Sequence, residues 1–204
     1  MKKTDVIEYE KTRYTHLDQA IINFIEQRIV KRWIVKFELK GKEILDIPCG
    51  FGRFSGIFLN AGMRLTSGDL SFEMADRTRE NSEILQRVSD FIVASVKALP
   101  FKKGSFDATF TARLLHHNFT KEERINILKE LARISKKHII VTLYKKNFLH
   151  FITRRLRRLN RVIVMLSMKE MESEIEASGL KIIEKTVILP VFHSQVFLVL
   201  EKKN

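Results

Sequence analysis

The chain has 204 residues, 45% of them apolar and 30% charged, which is the composition of a globular domain with enough apolar side chains for one substantial core. Its single cysteine, Cys49, excludes an intrachain disulfide and argues against a cysteine-based metal site, so we expect no metal and a reducing, cytoplasmic location. The amino-terminal residues lack the apolar core of a signal peptide, and no run approaches the roughly 18 apolar residues of a membrane span.

The positive charge is concentrated in one segment. Lys and Arg number 37 against 24 Asp and Glu, which gives a formal net charge of +13. Residues 145–161 contain seven basic residues and no acidic one, so they hold more than half of the excess. A local excess of this kind predicts an anionic partner surface at one place.

The predicted elements begin with a helix over 16–37, where apolar residues recur at helical spacing: Leu17, Ile21, Phe24, Ile25, Ile29 and Trp33. Strands and helices then alternate. The predicted strands are 43–47, 64–68, 90–94, 106–111, 138–144, 181–189 and 194–201, and the predicted helices are 53–61, 71–87, 121–135 and 168–178. Thr120 and Glu123 form a candidate capping box at the start of the third of these helices.

This order predicts an α/β fold with a mostly parallel, seven-stranded sheet covered by helices on both faces. The last two strands break the alternation, because about four residues, 190–193, separate them. So short a connection cannot hold a helical crossover, and we therefore expect a C-terminal antiparallel hairpin.

The turn after the first predicted strand has the pattern of a nucleoside-binding site. Gly50 and Gly52 permit close backbone approach and positive φ, and the following helix offers N–H groups to polar ligand atoms. Asp69 ends the next strand, where its carboxylate could accept both hydroxyls of a ribose. Two plainer interpretations remain open: an ordinary tight turn for the glycines, and a helix-capping role for Asp69. No Gly-Lys-Ser/Thr sequence of a phosphate-binding loop is present.

Five segments, in this order and spacing, resemble class I S-adenosylmethionine-dependent methyltransferases from about residue 40 to 144, and more loosely to 201. They are Asp46–Arg53, Gly68–Ser71, the stretch from Ala98 to Ala108, Leu114–His117 and Leu128–Ile134. The resemblance implies a Rossmann-like three-layer sandwich, S-adenosyl-L-methionine as cofactor and S-adenosyl-L-homocysteine as product.

The resemblance also implies a set of cofactor-binding residues: Asp46, Pro48, Cys49, Gly50, Gly52, Arg53, Asp69, Leu70, Ser95, Val96, Thr111, Ala112 and Arg113. Two positions depart from the family pattern. Pro48 replaces the first glycine, and proline cannot adopt positive φ. Ser95 replaces an acidic residue that often bonds the adenine amino group. These departures leave open a third class of function, a catalytically silent cofactor-binding module.

The sequence says less about the methyl acceptor than about the cofactor. Transfer of a sulfonium methyl needs chiefly proximity, orientation and, for a protonated acceptor, a base, so it requires few particular residues. His116 and His117 follow the fourth strand at the ligand-binding edge and are candidate catalytic bases, with His116 first by the resemblance. The plainer interpretation is that one histidine packs and the other faces water. Thr111–Leu114 replace the Asn-Pro-Pro-Tyr type of sequence found in many base and glutamine methyltransferases. This argues against a DNA base or glutamine as acceptor and leaves oxygen, carbon and other nitrogen acceptors open, of which we favour oxygen or carbon.

Residues 145–167 are predicted to be a basic helical insertion beside the acceptor. Its apolar residues recur every three or four positions: Phe148, Ile152, Leu156, Leu159, Ile163 and Leu166. Arg154, Arg155 and Arg158 lie among the others and are predicted to bind substrate, as are Tyr9 and Tyr14 near the amino terminus. Three interpretations stay open: a plain lid, a helix on an anionic membrane serving a lipid-linked acceptor, or a surface for RNA phosphates.

We therefore predict a single methyltransferase domain over 1–204, with an N-terminal helical cap (1–40), a cofactor-binding core (41–144), the basic insertion (145–167) and a C-terminal helix and hairpin (168–204). The predicted function is methylation of a small-molecule or lipid-linked acceptor, at oxygen or carbon, in the cytoplasm or peripherally at a membrane. RNA methylation is the alternative that the basic charge motivates.

Overall fold

The structure of the chain is a computed structural model that describes residues 17–83, 90–117, 119–147, 163–189 and 194–203. The helices of these ranges are α1 (Leu17–Lys36), α2 (Ser55–Asn60), α3 (Phe72–Glu83), α4 (Lys121–Ile134) and α5 (Met168–Ala177). The strands are β1 (Glu43–Asp46), β2 (Arg64–Asp69), β3 (Asp90–Val93), β4 (Phe106–Thr111), β5 (Ser135–Tyr144), β6 (Leu180–Val187) and β7 (Gln195–Lys202).

The strands form one sheet in the order β3-β2-β1-β4-β5-β7-β6. Strands β1 to β5 pair in parallel, whereas β7 runs antiparallel to both β5 and β6. The predicted fold class and its C-terminal antiparallel pair are thus confirmed. Because β2 lies on one side of β1 and β4 on the other, the chain order reverses between β1 and β4, and ligands bind in the crevice at such a switch point.

Two apolar layers cover the sheet, one on each face. On β7 the side chains of Val196, Leu198 and Leu200 belong to the layer that includes α4 and α5. Phe197 and Val199, between them, belong to the layer that includes α1 and α2. This alternation is the two-residue period of a strand buried on both faces.

Helix α1 packs on the sheet through a face that differs from the predicted one. Trp33 is fully buried as predicted, and its ring meets the Phe197 ring edge-on at a centroid distance of 5.9 Å. Ile21 and Phe24 are instead 53% and 59% exposed, and Ile22 is buried in their place. The apolar spacing identified the helix, but it did not identify which side of the helix faces the sheet.

Several predicted boundaries shift, most of them by one or two residues. Helix α2 begins at Ser55 rather than residue 53, because residues 51–54 complete the glycine turn. Strand β5 begins at Ser135, directly after α4, instead of at residue 138. Helix α3 was predicted over 71–87; residues 72–83 are helical, and 84–89 lie outside the described residues.

The start of α4 is fixed by the predicted capping box. Thr120 Oγ1 accepts the Glu123 N–H at 3.2 Å, and Glu123 Oε2 accepts the Thr120 N–H at 2.8 Å. A buried ion pair then joins α4 to α5, in which Arg124 donates two hydrogen bonds to the Glu174 carboxylate at 2.8 and 2.5 Å. No helix in the described ranges is both long and apolar enough to cross a membrane.

Candidate active site

A cleft of about 720 Å³ opens at the carboxyl ends of β1, β2, β3 and β4. Its wall is made by the loops that follow these strands: residues 47–51, 53–54, 69–71, 74, 94–97, 112–114, 117 and 119. The loops after β1 and β4 face each other here because their strands are neighbours in the sheet. The cleft is therefore the crevice that the strand order predicts.

The glycine turn after β1 is held by backbone and side-chain contacts. The Cys49 N–H donates to the Gly68 carbonyl at 2.8 Å, and Thr78 Oγ1 of α3 donates to the Gly50 carbonyl at 2.7 Å. Gly50 lines the cleft with a φ of +59°. Gly52, with a φ of +80°, lies behind it, where an added Cβ would stand 2.9 Å from Thr78 Cγ2. Gly50 thus faces the ligand space, whereas Gly52 permits α3 to pack closely.

Two further residues of this turn, Pro48 and Cys49, belong to the cleft wall. Pro48 lines the cleft and follows a cis peptide bond to Ile47. Cys49 also lines it, but its thiol is buried and accepts a hydrogen bond from Thr78 Oγ1 at 3.4 Å. Burial raises the pKa of the Cys49 thiol far above its ordinary value, so this cysteine is not a nucleophile at neutral pH.

Asp69 supports two loops at once. Its Oδ2 accepts the Gly50 N–H and its Oδ1 accepts the Ser71 N–H, both at 3.0 Å. Ser71 Oγ accepts the Met74 N–H at 3.4 Å, so Ser71 rather than Asp69 caps α3. Burial raises the pKa of Asp69, although the two N–H groups favour its ionised form. Since a carboxylate oxygen accepts more than one hydrogen bond, Asp69 can hold the turn and a ribose together.

Asp46 lies at the end of β1, behind the cleft wall. Its side chain is 1% exposed, and within the described part of the chain its Oδ2 has no hydrogen-bond partner. Burial raises the pKa of Asp46 well above 3.8, with Arg53 opposing this and the nearby Asp69 adding to it. Asp46 therefore supports the glycine turn from behind and does not reach the ligand space.

Arg53 and Arg113 both line the cleft, and both bind one carboxylate of α1. Glu26 is fully buried and accepts a short hydrogen bond from Arg53 Nη1, together with bonds from Arg113 Nε and Nη2 at 3.1 and 2.9 Å. Burial opposes ionisation of Glu26, but the two guanidinium groups hold its pKa below the ordinary value. Glu26 is not among the site residues that the sequence predicts.

Leu70, Ser95 and Val96 also line the cleft, and their role in binding the cofactor stays a prediction. Ser95 Oγ accepts the Lys97 N–H at 3.3 Å and so shapes the loop after β3. Ala112 lines the cleft next to Arg113, whereas Thr111 is buried within β4 and does not reach it. The predicted cofactor residues therefore divide into wall residues and supporting residues, the latter being Asp46, Gly52 and Thr111.

The two histidines occupy different positions. The His116 and His117 rings stack at 4.6 Å, and His116 also contacts the Tyr144 ring at 4.6 Å. His117 is exposed and lines the cleft, whereas His116 lies behind it. The geometry therefore favours His117 as the residue that meets an acceptor, opposite to the order that the resemblance implied.

The basic insertion leaves and rejoins the fold beside this pair. Leu166 forms backbone hydrogen bonds with the end of β5 and the segment that follows it, donating to Tyr144 at 2.8 Å and accepting from Lys146 at 2.9 Å. The Val164 N–H donates to the His116 carbonyl at 2.9 Å. The predicted substrate residues Arg154, Arg155, Arg158, Tyr9 and Tyr14 lie outside the described residues.

Comparisons with known proteins agree with this geometry. A family profile described as a methyltransferase domain matches residues 44–138, which contain both motif loops. The tRNA (carboxymethyluridine(34)-5-O)-methyltransferase alkbh8 of Xenopus tropicalis is 33% identical over 98 residues, which are 48% of this chain and 14% of that protein. The probable tRNA methyltransferase 9B of Mus musculus is 28% identical over 103 residues, which are 50% of this chain and 21% of that protein. The chain thus spans a small part of the length of these curated relatives.

Among solved structures, the magnesium protoporphyrin IX methyltransferase of Synechocystis PCC 6803, crystallised with S-adenosylhomocysteine, superimposes with a TM-score of 0.80. It is 18% identical, and the match covers 99% of this chain and all of that one. This likeness shows the fold. Residues 44–138 thus match a methyltransferase domain, and the chain shares its fold with methyltransferases that were crystallised with S-adenosylmethionine or S-adenosylhomocysteine.

Proposed function

We propose that this chain transfers a methyl group from S-adenosylmethionine to an acidic oxygen, such as a carboxylate or a phenolic or enolic hydroxyl, of a small acceptor in the cleft. One observation carries the proposal: the charged side chains on the described cleft wall are Arg53, Asp69, Lys97 and Arg113. The single carboxylate among them is committed to the Gly50 and Ser71 amides on the ribose side. The other three are basic, and this excess of basic over acidic side chains on the wall suits an anionic acceptor; Lys97 also pairs with Glu123 at 2.6 Å and Arg113 with Glu26.

In this proposal the chain's own residues bind and orient. Gly50 gives the cofactor close approach to the backbone, and Asp69 binds the ribose. Bound S-adenosylmethionine supplies an electrophilic methyl on a sulfonium, which an oxygen must approach in line. Leu114 and Phe119 supply apolar contact for the acceptor. His117 accepts the acceptor's proton when the oxygen arrives unionised, and a carboxylate needs no such base.

The experiment is a labelled-methyl transfer assay with matched acceptor pairs, each an acid or phenol and the corresponding amine. We expect product from the acidic member of at least one pair and none from its amine. The variant His117→Ala should slow transfer to a phenol much more than transfer to a carboxylate, since only the phenol loses a proton near the transition state. Transfer to amines alone, or equal slowing of both acceptor types, would contradict the proposal.

A second candidate is an oxygen acceptor carried by tRNA. The curated relatives that match the core at 28–33% identity are named for action on tRNA, and the net charge of +13 suits a polyanion. The same assay with bulk tRNA tests it. Methylation of tRNA whose rate falls steeply with salt, without transfer to small acids, would favour this candidate over the first.

The remaining alternatives are a lipid-linked acceptor and a silent module. Nothing in the comparisons speaks for a lipid, and membrane association stays a prediction of the basic insertion alone. Methylated product in either assay would remove the silent-module interpretation, which rested on Pro48 and Ser95. Binding of the cofactor without turnover on any acceptor would favour it.

A further inference from the structure

A second cavity, of about 490 Å³, lies between α1 and α2, outside the cleft described above. We call it the α1–α2 groove. The charged side chains on its described wall are Lys31, Lys40 and Arg53, and no acidic side chain is among the described residues that line it. Arg53 lines the cleft as well, so the groove and the cleft are neighbours.

The two lysines of the groove are available to a ligand. Lys31 of α1 and Lys40 of the turn after α1 are exposed, and in the described part of the chain neither takes part in an ion pair or a hydrogen bond. By contrast, the exposed Lys146 pairs with Glu170 at 2.8 Å. Two lysines that line one concave space without acidic partners make that space favourable for an anion.

The groove belongs to a second basic region of the chain. Residues 27–42 contain six basic residues and one acidic residue, Glu38, which is not in the groove wall. Arg28 and Arg32 are exposed on α1 beside Lys31. A partner that approaches this side of α1 therefore meets positive charge both in the groove and next to it.

The same side of α1 exposes an aromatic ring. Phe24 is 59% exposed, and Arg28 Cζ lies 5.5 Å from its ring centroid. Phe24 stands seven residues before Lys31, so the two lie on one side of the helix, about 10 Å apart along its axis. An exposed ring at this distance from a basic groove offers a stacking surface to a planar group.

The wall between the lysines is apolar, with two amide side chains. Ile34 and Ile57 form part of it and are buried. Gln27 and Asn60 add carboxamide groups, which both donate and accept hydrogen bonds. An apolar wall with such amides can contact the face of a nucleobase and hydrogen-bond its edge.

We propose that the α1–α2 groove binds single-stranded RNA, with phosphates on Lys31 and Lys40 and a base stacked on Phe24. A basic groove that follows the backbone, combined with an exposed aromatic ring for a base, is the common design of single-strand binding sites. An acidic peptide would use the lysines but has no planar bases for Phe24, and a membrane surface cannot enter a concave groove. The inference goes beyond the proposed function, because it requires neither bound S-adenosylmethionine nor a particular methyl acceptor.

The test measures binding of a fluorescently labelled single-stranded RNA of mixed sequence, about twelve nucleotides long, without cofactor and over a range of salt concentrations. The double variant Lys31→Gln with Lys40→Gln should weaken binding about tenfold at low salt. It should also reduce the salt slope by roughly 1.4, since each phosphate contact of a single strand contributes about 0.7. Phe24→Ala should weaken binding about fivefold or more and leave the slope unchanged, because stacking releases no counterions.

Matched controls separate the groove from net charge and from exposed apolar surface. Lys129→Gln with Lys169→Gln removes the same charge from exposed positions on α4 and α5, which cover the other face of the sheet. Phe72→Ala removes a ring of α3 that is 66% exposed. We expect each control to change RNA affinity by less than about twofold, since charges more than a Debye length from the RNA are largely screened.

An RNA affinity that neither groove variant changes would overturn the inference, because it would place RNA elsewhere, as on the basic insertion. Equal losses in the groove and control lysine variants would overturn it too, by showing a response to net charge alone. So would wild-type protein that binds no RNA at low salt, or that binds poly-L-glutamate or phosphatidylglycerol vesicles as strongly as RNA through the same lysines. Since no cofactor is present, none of these results bears on methyl transfer to a small acid.

Discussion

Gly52→Ala tests whether Gly52 is required for the close packing of α3 against the glycine turn. At Gly52 an added Cβ would meet Thr78 Cγ2 at 2.9 Å, Ser55 Oγ at 3.1 Å and the Thr78 Cα at 3.4 Å. The backbone φ of +80° adds a second penalty. The left-handed conformation costs an alanine about 1–2 kcal/mol, and overpacking costs about 1–3 kcal/mol. We therefore expect the free energy of unfolding to fall by about 2–5 kcal/mol.

Gly62→Ala is the matched control, because Gly62 has a similar φ of +73° and its Cβ would meet nothing within 4 Å. It should cost only the conformational part, about 1–2 kcal/mol. Urea unfolding of the two variants measures the difference. In a Thr78→Ser background, which removes Cγ2 and keeps the hydroxyl that donates to the Gly50 carbonyl, Gly52→Ala should cost less. Equal costs at Gly52 and Gly62, or strict additivity with Thr78→Ser, would refute this reasoning.

Three further predictions concern carboxylates. Asp69→Ala should weaken S-adenosylhomocysteine binding by about 1.5–3 kcal/mol through lost hydrogen bonds, and an unchanged calorimetric dissociation constant would place the ribose elsewhere. Because burial raises the pKa of Asp46 above 3.8, the folded state keeps a proton that the unfolded state loses, so stability should fall as pH rises from 3.8 toward the folded pKa. Asp46→Asn should reduce that slope in urea unfolding, to which Asp69 also contributes because burial raises its pKa, and an identical slope would contradict the assignment. Glu174→Ala should cost about 3–5 kcal/mol by leaving Arg124 buried and unpaired, whereas Glu174→Leu with Arg124→Met should cost much less; equal losses on unfolding would refute it.

The sheet could be predicted because its signals are local. Short apolar runs alternate with amphipathic stretches, and the brief connection at 190–193 permits only a hairpin. Gly50, Gly52 and Asp69 could also be placed at one edge of the sheet. The two glycines follow one strand and Asp69 ends the next, and parallel neighbouring strands end at the same edge. The sequence does not show that Gly50 lines the cleft while Gly52 packs against α3. That difference depends on Thr78 of α3, which comes close to Gly52 only in the folded chain.

The contacts of Glu26 with Arg53 and Arg113 could not be predicted from the sequence. Glu26 stands four residues after Ile22 and three before Ile29, on the buried side of α1, and an acid in that position requires a partner. That signal was available once the buried face was known, but the prediction had placed the face through Ile21 and Phe24. The partners themselves, 27 and 87 residues away, follow from tertiary packing alone.

Arg113 illustrates the same limit. The resemblance placed it among the cofactor-binding residues, and the structure adds a bidentate contact with Glu26 that the sequence did not predict. His116 and His117 are adjacent in sequence and equal in chemistry. Only the stacking of His116 against Tyr144 shows which of them stands behind the cleft.

The most direct test of the account is a crystal structure of the protein with S-adenosylhomocysteine. We predict that the ligand lies in the cleft at the ends of β1 and β4, with its ribose hydroxyls within hydrogen-bonding distance of Asp69 and its amino-acid end passing Gly50. A cleft that stays empty at saturating ligand, or a ligand bound at another place, would contradict the central claim.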